Sequence, residues 1–118
     1  MTTVLIRGRC CELLAEPVWE AEHSAEMFLV GLCSMLDAML GRPMDDALGD
    51  LPLSPGARDA LLGCANEKRT LLDAVIAYEQ GHWEDATEKG SSLGVGGRDL
   101  AAAYAASLRW ARELVVST

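Results

Sequence analysis

Apolar residues recur every three to four positions along most of the chain, and proline, glycine and serine cut this pattern into short segments. No stretch alternates apolar and polar positions with β-branched enrichment, so the pattern predicts helices and no strands. A first helix, over about 3–16, places Ile6, Cys10, Leu13 and Leu14 on one face, and Pro17 ends it. A second, over about 20–40, contains the most apolar run, AEMFLVGLCSMLDAML. In it Phe28, Leu29, Leu32, Cys33, Met35, Leu36, Met39 and Leu40 cover most of the helix circumference. A narrow polar stripe remains through His23, Glu26, Ser34 and Asp37. A membrane span needs roughly 18 or more apolar residues without such a stripe, and Glu26, Asp37 and Gly41–Arg42 break the run too early. The segment is expected to be the central helix of a soluble bundle, nearly surrounded by its neighbours.

The remaining segments are read from their ends. GRPMDDALGDL forms a short helix, with Pro43 at its first position and Asp45 and Asp46 complementing the dipole in its first turn. Ser54 caps a helix that Pro55 opens and Gly63 closes, and Asn66 caps another over about 67–80. The latter buries Leu71, Leu72, Val75 and Ile76 with Tyr78; Gly81 stops it, and HWEDATEK starts the next. GSSLGVGG is a flexible link to a last helix, over about 98–116. Its apolar face runs through Leu100, Tyr104, Leu108, Ala111 and Val115, widened by Trp110 and Leu114. The expected fold is all-α: a compact bundle of about six to seven short helices in a single domain, 1–118.

Composition narrows the function. Of 118 residues, 50% are hydrophobic and 24% charged, which is ordinary for a globular protein and wrong for a disordered one. The net charge of -8 repels phosphate backbones and anionic lipid, so neither nucleic acid nor a membrane is an expected partner. Cys10 and Cys11 are adjacent, Cys33 and Cys64 stand alone among apolar residues, and no C-x-x-C occurs. All four read as buried thiols packing as small hydrophobes. Reduced cysteines and an N-terminus, MTTVLIRGRC, too soon charged for an export signal predict a cytoplasmic protein.

No set of residues assembles a reaction centre. LGVGGRD could cradle a phosphate, but no strand precedes it and no lysine follows as in a P-loop, so it reads as a linker. Asp45–Asp46 and Glu84–Asp85 sit in first turns, where the helix dipole already accounts for them. His23 and His82 have no metal-like spacing, and neither is followed by aspartate. Ser34 has no nucleophile-elbow context. Trp19, in a short connection, and Trp83 and Trp110, near helix ends, read as core packing. The expectation is a non-enzyme with no catalytic, cofactor-binding or metal-ligating residues and no cofactor.

Three stretches carry a resemblance: RGRCCELLAE (7–16), AEMFLVGLCSMLDAMLGRPMDDALGDLPLSPGARDALLG (25–63) and VIAYEQGHWEDATEKG (75–90). In order and spacing they resemble the C-terminal half of the HDOD domain, and most closely HDOD modules that follow an EAL domain in bacterial two-domain signalling proteins. The resemblance continues into AAYAASLRWARELV and is most specific in FLVGLCSMLDAMLGRPMDDALGDLPLS. Such domains are helical relatives of the HD phosphohydrolase fold without its metal ligands. The resemblance therefore implies a regulatory or protein-interaction module, in a cyclic di-GMP-related pathway, acting on an attached or partner effector domain. The chain holds no Glu-Ala-Leu motif, so the phosphodiesterase activity of an EAL domain does not carry over.

The resemblance also implies that the chain corresponds to part of a larger HDOD domain, whose first half would precede Val4. The long apolar helix is then expected to keep an uncovered flank, and a homodimer is the expected way to cover it. Val4, Leu5 and Trp19 are the expected interface residues. Two other classes stay open: a tetratricopeptide-like helical scaffold, suggested by the glycine–tryptophan turn in AYEQGHWEDATEKG, and a nucleotide-binding domain built on LGVGGRD.

Overall fold

Helix α1 (Thr2–Ala15) is the element around which the others assemble: it packs against α2 (Ala21–Cys33), α6 (Glu67–Glu79) and α8 (Gly97–Ser117). The structure, a computed structural model, describes the backbone of residues 2–117 and the side chains of residues 3–114. The side chain of Val115, expected on the buried face of the last helix, lies outside the described residues. The fold is all-helical, with eight helices and no strand among the described residues. The other four are α3 (Leu36–Leu40), α4 (Met44–Leu48), α5 (Pro55–Leu61) and α7 (Trp83–Ser91).

Local chemistry sets most boundaries as expected. The Ser54 hydroxyl accepts from the Ala57 amide at 3.2 Å and Pro55 opens α5. Asn66 accepts from the Arg69 amide at 2.8 Å, while its own amide donates to the Gly56 carbonyl and ties the start of α6 to α5. Gly41 and Gly81 take φ of 66° and 80° where α3 and α6 end, a backbone region that disfavours any side chain.

The long second segment is not one helix. It breaks after Cys33, where the Ser34 hydroxyl turns back to donate to the Gly31 carbonyl at 2.7 Å, and it restarts as the short α3. Nor is it nearly surrounded. Its buried face is Ser24, Met27, Val30, Gly31 and Cys33, whereas Leu29, Met39 and Leu40 are exposed. The central place belongs to α1, because Gly8, Cys10, Cys11 and Ala15 are small enough to let neighbours approach closely. Ile6 and Leu13 are only half-buried there, and the charged Arg7 lies inside.

The last helix is also rotated from the expected face. Leu100, Ala103, Ser107 and Ala111 are buried, and Leu108 is exposed. Ser107 can replace a leucine inside because its hydroxyl donates to the Ala103 carbonyl at 2.7 Å. The largest fully buried side chains are Met27, Leu48, Leu71, Leu72 and Leu100. They come from α2, α4, α6 and α8, so the short helices contribute to one core rather than decorating it.

Candidate functional site

The three residues expected at an interface do not lie together. Val4 is buried and Leu5 half-buried near the start of α1, whereas Trp19 follows the other end of that helix and packs half-buried on the core. Cys10, Cys11 and Cys33 are buried thiols, but Cys64 is exposed, beyond the end of α5. Burial, reinforced by the Glu79 carboxylate, pushes the Cys10 thiol up to about 12, against the Ser107 hydroxyl. Burial likewise raises Cys11 and Cys33. Burial thus favours the thiol over the thiolate at all three, and the sulfurs pack in the core.

The charged side chains inside the molecule are engaged with one another. Arg7 donates from Nη2 to Glu79 Oε2 at 2.8 Å, from Nε to Glu79 Oε1 at 3.1 Å and from Nη1 to Ser34 Oγ at 2.8 Å. One guanidinium thus joins α1, α6 and the break between α2 and α3. The long sequence distance and the charge of Arg7 hid this from hydropathy. On the other side of α2, Glu26 accepts from the Ser54 amide at 2.8 Å and its hydroxyl at 2.6 Å, with Lys68 Nζ 3.5 Å away. Burial pushes the Glu26 carboxyl up, but the two Ser54 bonds and Lys68 outweigh it and hold the group below its ordinary value. Lys68 also lies 3.3 Å from His23 Nδ1. Asp99 accepts from the Gly96 amide at 2.9 Å, so the carboxylate of LGVGGRD closes its own loop. Among the described residues, no three His, Cys, Asp or Glu side chains are placed to share a metal ion.

The surface carries three features of note. Leu29, Met39 and Leu40 leave apolar area on the α2–α3 limb, Met39 and Leu40 about half exposed at 50% and 52%. A hollow of about 560 Å³ lies between the end of α1 and α8, with Leu13, Val18, Leu93, Asp99, Ala102 and Ala106 on its walls. The third is Trp83, expected in the core but 58% exposed. It heads a row of rings: Trp83 meets Tyr78 edge-on at 4.8 Å, and Tyr78 meets Tyr104 at 5.2 Å. Trp110, by contrast, is half-buried, edge-on to Phe28 at 5.9 Å and covered by the Arg9 guanidinium. No helix among the described residues is long and apolar enough to cross a membrane.

No family model and no solved structure matches the chain. It is similar to an uncharacterised protein, YuxH, of Bacillus subtilis strain 168, with 31% identity over 111 residues. It is also similar to the cyclic di-GMP phosphodiesterase CdgJ of Vibrio cholerae serotype O1, with 27% identity over 110 residues. These alignments cover 94% and 93% of this chain and 26% of each relative. The chain therefore spans about a quarter of the length of the curated relatives it matches.

Proposed function

We propose that the chain is a non-catalytic signalling module of HDOD type, which regulates an attached or partner effector domain in bacterial cyclic di-GMP-related signal transduction. The observation that carries this reading is the extent of similarity to CdgJ, nearly the whole of this chain but 26% of that phosphodiesterase. Three-quarters of the relative is then left for another activity, and the matching quarter suits a regulatory part. The geometry supports a non-catalytic role, since Glu79, Glu26, Asp85 and Asp99 are each committed to a cation, a hydroxyl or a loop amide. The effector is of EAL type in this reading, and the protein works in the cytoplasm.

The test is a chimera in which this chain replaces the matching segment of the Vibrio phosphodiesterase. Cyclic di-GMP turnover and solution mass are compared with those of the relative truncated to lack that segment, after circular dichroism shows that both fold. The chimera is expected to differ from the truncated protein in turnover or assembly, and the isolated chain to hydrolyse no cyclic di-GMP. Identical behaviour of chimera and truncation would overturn the regulatory role. Hydrolysis by the isolated chain would overturn the non-catalytic one.

A further inference from the structure

Trp83 is the most exposed large apolar side chain among the described residues, and it is held in place rather than loose. Its ring meets Tyr78 edge-on at 4.8 Å and lies against Gly81, where an added Cβ would come within 3.8 Å of the indole. The Gly81 φ of 80° sets the turn that brings α7 back beside α6. A lone exposed ring is ordinary on a protein surface, but this one is packed on one side by Tyr78 and left more than half open, so it can stack a ligand without first being ordered.

Hollows of about 550 and 420 Å³ adjoin the ring, and Glu84 and Glu88 line both. Thr87, on the wall of the second, donates its hydroxyl to the Trp83 carbonyl at 2.8 Å. Asp85 is already paired with Lys89 at 2.6 Å, but among the described residues neither Glu84 nor Glu88 is in an ion pair. These two carboxylates stand four residues apart on one helix, an arrangement whose mutual repulsion weakens the isolated helix. A cation resting on the indole would meet both and relieve that repulsion.

We propose that this hollow is a docking site for an arginine side chain presented by a partner protein. The proposal rests on the reading of the chain as an interaction module and gives that module a surface. Arginine fits better than lysine for two reasons. Its planar guanidinium stacks on an aromatic face while its N–H groups fork toward carboxylates, and it gives up hydration more readily. The net charge of -8 adds a long-range pull on a basic segment.

The test follows the indole N–H signals of nitrogen-15-labelled protein during titration with a capped Gly-Arg-Gly-Gly-Arg-Gly peptide, at physiological salt. The Trp83→Phe variant assigns the Trp83 signal. That signal is expected to shift saturably, while a peptide with citrulline in place of arginine, equal in shape but uncharged, leaves it unmoved. Trp83→Ala, which removes an exposed ring and no charge, is expected to weaken binding about tenfold, read for all variants from the backbone amide signals of α7, with the fold verified by circular dichroism. The Glu84→Gln/Glu88→Gln pair is expected to weaken it about fivefold, while Asp45→Asn/Asp46→Asn, the same change in charge elsewhere, does not. Unchanged binding by Trp83→Ala, or equal losses in the two charge variants, would overturn the site and leave only diffuse attraction to an acidic surface. Loss of the site on these grounds with altered turnover in the chimera would leave the module reading standing. A peptide bound at Trp83 beside an inert chimera would remove that reading and keep the site.

Discussion

Gly8 and Gly31 face each other where α1 and α2 cross, so close that a Cβ added to Gly31 would lie 2.5 Å from the Gly8 Cα. A Cβ on Gly8 would in turn meet the Phe28 carbonyl oxygen at 2.9 Å. Both obstacles are backbone, which cannot swing aside as a side-chain end can. The crossing sets the spacing of the two helices that bury Met27, Val30, Cys10 and Cys11.

Gly31→Ala is therefore expected to destabilise the fold by about 3 kcal/mol, near the upper end for overpacking. Against this, alanine has the better helix propensity, by about 1 kcal/mol, so an open site would show a gain. Urea unfolding of the variant decides between them, and an unchanged or raised midpoint would mean that the helices can separate at little cost.

The Arg7–Glu79 pair leads to a second expectation. Both side chains are nearly buried, at 11% and 10% exposure, so removing one partner strands a charge away from water. Arg7→Met is expected to cost about 3 kcal/mol, and the double variant Arg7→Met/Glu79→Leu much less, because an apolar pair carries no desolvation penalty. A double-mutant cycle by chemical unfolding gives the comparison. Costs that simply add would show that the two groups act independently.

These two features also show what the sequence could and could not disclose. Caps are local chemistry, so Ser54–Pro55, Asn66 and Gly81 could be read where they stand. The break at Ser34 could not, since there the serine turns back on Gly31 while Arg7, 27 residues away, donates to its hydroxyl. Hydropathy placed Leu29 and Leu108 inside and passed over Met27, Val30 and Ser107, because a segment apolar on most sides gives no preference for one face. Trp83 reads as core packing from its place near a helix end, and Cys64 as a buried thiol from its apolar surroundings, yet both are exposed, each shortly after a glycine of positive φ that ends a helix. The interaction surface was the least legible part, since it consists of what the folded core leaves over.

Glu26 gives a pH dependence with a defined sign. Its carboxyl titrates below the ordinary value of 4.5 in the folded protein. The stabilisation is thus fully present above about 4.5 and is lost as pH falls through the folded value. Glu26→Gln is expected to cost about 1.5 kcal/mol at neutral pH, through weaker bonds to the Ser54 amide and hydroxyl. The difference from the native chain should shrink as pH falls below about 4.5. Unfolding midpoints measured for both proteins across that range test the assignment, and parallel curves would remove it.

The α2–α3 limb carries the last prediction. Leu29, Met39 and Leu40 are exposed in this chain, at 41%, 50% and 52%. A contact through a two-fold axis that includes this limb would cover apolar area that the limb leaves exposed. A stable dimer buries about 1,200–2,000 Å², so neighbouring polar residues must join the contact, and -8 on each copy opposes it. Association should therefore be concentration-dependent and strengthen with salt, which screens the repulsion. Light scattering behind size exclusion, over about a hundredfold range of concentration, is expected to show a monomer–dimer equilibrium shifted toward dimer by salt. Met39→Lys/Leu40→Lys should return the protein to monomer without unfolding it, because both side chains already face solvent. A native monomer throughout, in high salt as in low, would mean that the limb is bare in isolation and that its cover, if any, is a different protein.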